Sequence, residues 1–219
     1  MFDRIIVSTN EDPRFIQFIP IVSKAWDKFF PGCKLSIAFV THRDKDDSLV
    51  EEMEQYGDVV LFKPIDDIPT PNHAKVARHI LATKYENEVC MIEDVDTIPL
   101  QREYFVARTN KRKENYVLGV GAEAFFDTPD EGKFPMSTIT AEGKVFKEFM
   151  NPLNLDDKSL ILSWRNLKIV DDKEAINNPP TLFSDESLIR ALIHKWKNPR
   201  ITYVSRGIDP HRDWIDRSW

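Results

Sequence analysis

Apolar residues along this chain follow two alternating rhythms. Short unbroken runs such as Ile5-Ile6-Val7 recur, and between them apolar positions return every three or four residues. The first rhythm suits strands buried on both faces; the second suits helices with one apolar stripe. Residues 4–9 (Arg4-Ile5-Ile6-Val7-Ser8-Thr9) read as a first strand. A helix is expected from about Pro13, with Phe15, Phe18, Ile19, Val22, Trp26, Phe29 and Phe30 at helical spacing, ended by Pro31-Gly32. These aromatics read as core rather than as a cofactor box. Lys34 to Thr41 is a second strand, 44–56 a more polar helix, Asp58 to Phe62 a third strand, and a loop follows through Pro64, Pro69 and Pro71. The next helix, about 72–86, buries Val76, Ala77, Ile80 and Leu81, with Lys75, Arg78, His79 and Ala82 on another face. Val89 to Ile92 is a fourth strand. This alternation predicts an α/β fold with a mostly parallel sheet and helices on both faces.

The second half is less regular. Tyr116 to Val120 reads as a strand in which Gly119 and Gly121 permit close backbone approach. A helix is expected over 141–150, a loop-rich stretch over 151–182 with a short apolar segment at 160–164, a helix over Ser184 to Trp196, and a last strand over Ile201 to Val204. The tail from Arg206 is polar but rich in aromatics. There are no repeats or linkers, so one domain of 219 residues is expected, with 1–97 and 98–219 as its halves.

Composition narrows the function. With 42% hydrophobic and 30% charged residues the chain is that of a soluble globular protein, not a disordered one. A formal charge of −6 argues against a general nucleic-acid binder, which needs clustered Lys and Arg. Cys33 and Cys90 lie in or beside apolar runs and match no zinc spacing, so buried free thiols in a reducing compartment are expected. The N-terminus lacks a charged leader with an apolar core, and nothing later approaches a membrane span. The expectation is a cytoplasmic protein, or a soluble piece of a larger one.

The chemistry concentrates at the end of the fourth strand. In Val89-Cys90-Met91-Ile92-Glu93-Asp94-Val95-Asp96-Thr97, an apolar run meets three carboxylates within four positions. Buried ionised carboxylates cost several kcal/mol unless paired or bound to a cation. Asp94 and Asp96, two apart, would face one side of extended backbone and offer hard oxygen ligands to Mg²⁺ or Mn²⁺. The alternative is a polar strand end running into a turn. Glu93 points the other way and reads as structural.

Asp94-Val95-Asp96, Ser184-Asp185-Glu186 opening a helix, and His211 in the tail together resemble the nucleotide-sugar glycosyltransferases of the GT-A fold. The resemblance spans nearly the whole chain as an order of parts. It implies a Rossmann-like nucleotide-binding half over 1–97 that ends in the D-x-D, then an acceptor half and closing tail over 98–219. The small size and single D-x-D are similar to virus- or bacterium-encoded members, the capsid-glycan transferases of chlorella viruses among them, which would place a viral member in the host cytoplasm. The activity implied is metal-dependent transfer of a sugar from a UDP-sugar, UDP-glucose or a related donor, to a glycan or other hydroxyl acceptor.

By that resemblance Asp96 holds Mn²⁺ or Mg²⁺, Asp94 shares the ion or reaches the ribose, and His211 completes the metal shell, as in retaining members; retention is favoured over inversion. Arg212 and Arg217 would close over the diphosphate, with Trp214 and Trp219 anchoring the tail. Ser8, Thr9 and Asn10 would meet the base and ribose, although such residues also cap helices. Lys75 and Arg78 would face the donor phosphates or sugar, although a solvated helix face explains them as well. Asp185 and Glu186 would contact the donor sugar or acceptor, or else are first-turn acids behind a Ser184 cap.

Three rivals share parts of the pattern. A haloacid-dehalogenase-type phosphohydrolase would use Asp94 as nucleophile and Asp96 as acid/base, with Asp171-Asp172 as its late acidic pair and Lys144 or Lys147 on phosphate. Its acidic motif, however, follows the first strand of its domain, and here about ninety residues come before it. A sugar-phosphate nucleotidyltransferase needs a Gly-rich basic loop after strand one, and Ser8-Thr9-Asn10-Glu11-Asp12 is neither. An inactive nucleotide-sugar-binding module would not need both Asp94 and Asp96.

Overall fold

The computed structural model describes residues 1–121, 134–135, 137–165, 167, 185–205 and the backbone of 214–215. The first half runs β1 (Arg4–Asn10), α1 (Pro13–Ile16), α2 (Ile19–Phe29), β2 (Lys34–Val40), α3 (Ser48–Glu54), β3 (Asp58–Phe62), α4 (Thr70–Thr83) and β4 (Val89–Ile92). Then come β5 (Ile98–Pro99), α5 (Arg102–Thr109), β6 (Val117–Val120), β7 (Ile139–Glu142), α6 (Gly143–Met150), α7 (Asp157–Arg165), α8 (Asp185–Lys195), β8 (Ile201–Val204) and β9 (Trp214–Ile215). Seven strands form one sheet in the order β3-β2-β1-β4-β7-β6-β8, and β5 pairs with β9 in a separate ribbon. Among the described residues, only β7 of the seven-stranded sheet runs against its neighbours. This is the single-domain, mostly parallel α/β sheet that the residue pattern predicts.

The order has one consequence for chemistry. β2 and β3 are laid down on one side of β1, and the chain then returns to place β4 on the other. A crevice opens between strand ends where the winding reverses, here beyond Asn10 and Ile92.

Alternate residues of the central strands enter different cores. Ile6, Ala38, Val40, Cys90 and Ile92 pack with α4, α6, α7 and α8; Ile5, Val7, Ile37, Phe39 and Met91 pack with α2, α3 and α5. Each Val, Ile, Met or Phe among them contributes about 1.5–3 kcal/mol when fully buried. Trp26 meets Phe105 edge-on with ring centroids 4.9 Å apart, so the α2 aromatics are core as expected.

Several expectations are corrected. The helix from Pro13 is two helices, because Pro20 cannot donate to the Ile16 carbonyl and its ring crowds that position. Gly32, at φ 91°, makes the turn into β2. The polar helix expected over 44–56 is only Ser48–Glu54. α4 has no solvated Arg78 face: Arg78, His79 and Ala82 are all buried, since α4 lies under α6 and against β1 and β2. The expected 141–150 helix divides, with Ile139–Glu142 taken as β7 and Gly143 starting α6. The segment at 160–164 is part of α7, and α5, β5 and β9 had no sequence signal strong enough to place them. Cys90 is buried and its thiol is pushed up to about 12 by burial, whereas Cys33 is half-buried; both are free. Lys144 and Lys147 lie beside Glu142, which pairs with the start of β4, and Lys147 bonds Glu86 at 2.7 Å. They are thus at the end of the sheet away from Asp94, against the phosphohydrolase reading. Among the described residues no helix is long and apolar enough to cross a membrane.

His73 on α4 is buried, with neither ring nitrogen hydrogen-bonded, and meets Phe62 edge-on at 6.3 Å. Burial drives its imidazole down to about 4, with nearby Asp157 pulling weakly the other way. The unfolded chain therefore binds more protons once pH falls below about 6.5, and stability drains away between there and pH 4, by about 3 kcal/mol at the limit. His73→Leu is expected to flatten the acid limb of a Tm-against-pH curve. Parallel curves for variant and parent between pH 7 and 4.5 would refute this role.

Candidate functional site

The crevice at the winding reversal is a cleft of about 530 Å³. Ser8, Thr9 and Asn10 from the end of β1, Lys75 and Arg78 from α4, Asp94 and Asp96 after β4, and Asp185 and Glu186 from the start of α8 all line it. Segments far apart in sequence thus bring the candidate residues to one place. His211, Arg212, Arg217, Ser184, Trp219 and Asp171-Asp172 lie outside the described residues, as does the Trp214 side chain. Phe15, Pro71, Ala74 and Val95 line the cleft too, and sequence reasoning missed them. Phe15 shares the spacing of the aromatic core stripe, and only the break before Pro20 separates it.

Asp94 and Asp96 reach the cleft by a different route from the one expected. β4 stops at Ile92, the Glu93 N–H donates to the Ile6 carbonyl (2.9 Å), and the Thr97 N–H donates to the Asp94 carbonyl (3.0 Å). The acids therefore sit in a tight turn, not in extended backbone. Val95 between them is buried against the α2–α5 core and fixes the turn to the body of the protein.

Arg78 organises the floor. Its guanidinium donates to an Asp94 carboxylate oxygen, to Asp185 Oδ2 at 2.7 Å and to the Glu93 carbonyl at 3.0 Å. Burial disfavours its charge, but the two acids more than compensate and raise its pKa further. Burial would likewise push Asp185 up, yet the adjoining Arg78 guanidinium holds it well below the usual carboxylate range. His79 Nε2 lies 3.8 Å from Asp185 Oδ2, too long for a hydrogen bond, and burial keeps the ring neutral at ordinary pH. Lys75 and Arg78 are therefore not a matched pair: Lys75 is exposed at the rim, while Arg78 is a buried clamp on two carboxylates. First-turn acid preference accounts for Glu186 but not for Asp185, whose carboxylate is committed to Arg78.

The β1 end is equally specific. Asn10 donates to Thr70 Oγ1 (3.1 Å) and the Thr9 hydroxyl to the Asn10 carbonyl (3.0 Å), so both side chains are fixed. The N-cap of α1 is Asp12, which accepts from the Arg14 N–H at 2.9 Å, so helix capping does not explain Ser8 to Asn10.

Glu93, just past the end of β4, is fully buried. Burial pushes its carboxyl up to about 8, and neighbouring Thr138 opposes this only in part, without a well-formed hydrogen bond. Close to the acidic turn, β9 pairs antiparallel with β5, Ile215 opposite Ile98 and Trp214 opposite Pro99.

Among the described residues no group of three or more His, Cys, Asp or Glu side chains could hold a metal. The cleft nonetheless carries Asp94, Asp96, Asp185 and Glu186 against Lys75 and Arg78, an excess of negative charge with hard oxygen donors that suits a divalent cation.

The architecture that carries this cleft is the GT-A glycosyltransferase fold. Among solved structures it resembles an active-site mutant of LgtC, with a TM-score of 0.55 at 10% identity over 91% of this chain and 72% of that one. The galactosyltransferase LgtC in complex with donor and acceptor sugar analogues matches with a TM-score of 0.51 at 10% identity, over 94% and 80%. The apo form of the glycosyltransferase GlyE from Streptococcus pneumoniae TIGR4 matches with a TM-score of 0.53 at 12% identity, over 92% of this chain but only 45% of GlyE. No protein-family model matches the sequence, and no curated protein matches it significantly.

Proposed function

We propose that this chain transfers a sugar from a UDP-sugar donor to a hydroxyl acceptor, with a divalent metal in the cleft. The observation that carries the reading is the clamp: one buried arginine joins the D-x-D to the first turn of α8 at the winding reversal of a GT-A sheet. The LgtC structure with donor and acceptor sugar analogues supports a sugar-transfer reading of a cleft at this place in the fold.

Asp94 and Asp96 would hold Mn²⁺ or Mg²⁺, with His211 as a third ligand. His211 lies three positions before Trp214, whose backbone pairs with Pro99 just beyond the acidic turn, and three residues reach at most about 11 Å. Bound there, the ion supplies positive charge to the diphosphate as it departs. Ser8, Thr9, Asn10 and Phe15 would form the nucleoside end of the cleft, Lys75 would meet phosphate from the rim, and Arg212 and Arg217 would close over it from the tail. Arg78 holds Asp94 and Asp185 at a fixed separation, so that Asp185 and Glu186 present carboxylates where the donor sugar would lie. No isolated base stands apart from these acids among the described residues, which favours retention.

Calorimetric titration with UDP and UDP-glucose, with and without Mn²⁺, tests this. Binding is expected only with the metal. Metal-independent binding, or none, overturns the proposal, and phosphate release from sugar phosphates without UDP affinity would support a phosphohydrolase instead.

A further inference from the structure

Charge is spread unevenly over the lining of the cleft. Ser8, Thr9, Asn10 and Phe15, on its β1 side, are uncharged. Asp94 and Asp96 belong to the turn after β4, and Asp185 and Glu186 form the first turn of α8. Lys75 and Arg78 are the only cationic side chains among the described residues that line it, and Lys75 is exposed at the rim.

Arg78 is fully committed. Its Nη1 donates to the Glu93 carbonyl (3.0 Å) and to Asp94 Oδ1, its Nη2 donates to Asp185 Oδ2 (2.7 Å), and its Nε is shut away from solvent. One guanidinium thus answers two carboxylates and leaves one negative charge over. Neighbouring His79 is buried and kept neutral by that burial, so it adds no positive charge.

The acids, by contrast, keep acceptor capacity. Arg78 occupies only Oδ2 of Asp185, and Oδ1 has no hydrogen bond to any described residue. An ionised carboxylate accepts hydrogen bonds and donates none. It binds hydroxyl groups through short charge-assisted bonds and repels a second carboxylate. A sugar that carries a carboxylate of its own needs a free Arg, Lys or protonated His to receive it. Among the described residues, none stands over the first turn of α8. The diphosphate of the same donor is in a different position, because Lys75 at the rim and the ion proposed at Asp94 and Asp96 would answer its charge.

We propose that the cleft takes donors whose sugar is uncharged, and that Asp185 and Glu186 are the specificity-determining residues that accept its hydroxyls and turn away sugars bearing a carboxylate. The inference rests on the glycosyl-transfer reading and narrows its donor class. It is specificity by repulsion as well as by attraction.

Calorimetric titrations of the full chain in Mn²⁺ with UDP-glucose and UDP-glucuronate test this. The two donors differ only at C6, a hydroxymethyl group in one and a carboxylate in the other. The parent is expected to bind UDP-glucose about 100-fold more tightly, the scale of like charges brought together in a binding site. Asp185→Asn removes the charge at nearly constant shape and should narrow that ratio about tenfold. A residue with only a structural role would instead weaken both donors alike and leave the ratio where it was. Equal affinities in the parent, a preference for UDP-glucuronate, or an unchanged ratio in Asp185→Asn would overturn the proposal and leave the transfer reading standing. If Asp185→Asn does not fold, Glu186→Gln, at a half-buried position, decides by the same ratio. A parent that binds neither donor nor UDP overturns the transfer reading, and this proposal falls with it.

Discussion

Asp96→Asn is expected to abolish the metal dependence of UDP binding, with a loss of affinity of about 100-fold or more in Mn²⁺. Loss of a group that merely supports a ligand costs about 10–100-fold, and loss of a ligand itself should reach at least the upper end. The substitution keeps size and shape, so its effect is electrostatic. Asp94 is no substitute, because one of its oxygens already accepts from Arg78, and the carboxylate that remains is partly neutralised. Titrations of parent and variant, each with Mn²⁺ and with EDTA, measure this directly. A variant that keeps the parent's Mn²⁺ response would remove Asp96 from the metal site.

Arg78→Ala is expected to cost both stability and activity, for separable reasons. It leaves Asp185, 2% exposed, without its main counter-charge, and removing one partner of a buried pair costs about 3–5 kcal/mol. In a domain of this size that lowers Tm by roughly 10 °C. Hydrophobic replacement of both partners is often neutral or stabilising, so Arg78→Met with Asp185→Leu should recover most of the lost Tm. Sugar transfer should stay absent in the double variant, because the clamp on Asp94 is gone. Thermal melts and a transfer assay on the single and double variants form the cycle. A single variant with parental Tm would contradict the buried pair, and a double variant that regains transfer would contradict its role in the cleft.

The sheet was legible because its first four strands are apolar runs bounded by turn residues, a signal that depends on local sequence alone. β7 was not, since Ile139-Thr140-Ala141-Glu142 continues into an apolar spacing that suits a helix equally well. Only the exposed edges of β4 and β6 decide between them, and sequence does not display those edges. The same division holds in the site. Asp94 and Asp96 stand out because acids after an apolar strand are locally unusual. The burial of Arg78 was invisible: a cation three residues from Lys75 suggests a solvated face, and its fate is set by a carboxylate 107 residues away. Alternation does not carry as far as Glu93, which lies beyond the end of β4 where the backbone turns.

That separation also gives the two contacts of Arg78 different closure costs. Arg78 meets Asp94 across 16 residues of chain but Asp185 only across 107. Closing the longer loop costs about 1.7 kcal/mol more in chain entropy, and nothing repays it until α8 packs on α6. The contact with Asp94 is therefore the cheaper of the two to close, and the contact with Asp185 depends on α8 docking against the rest of the fold.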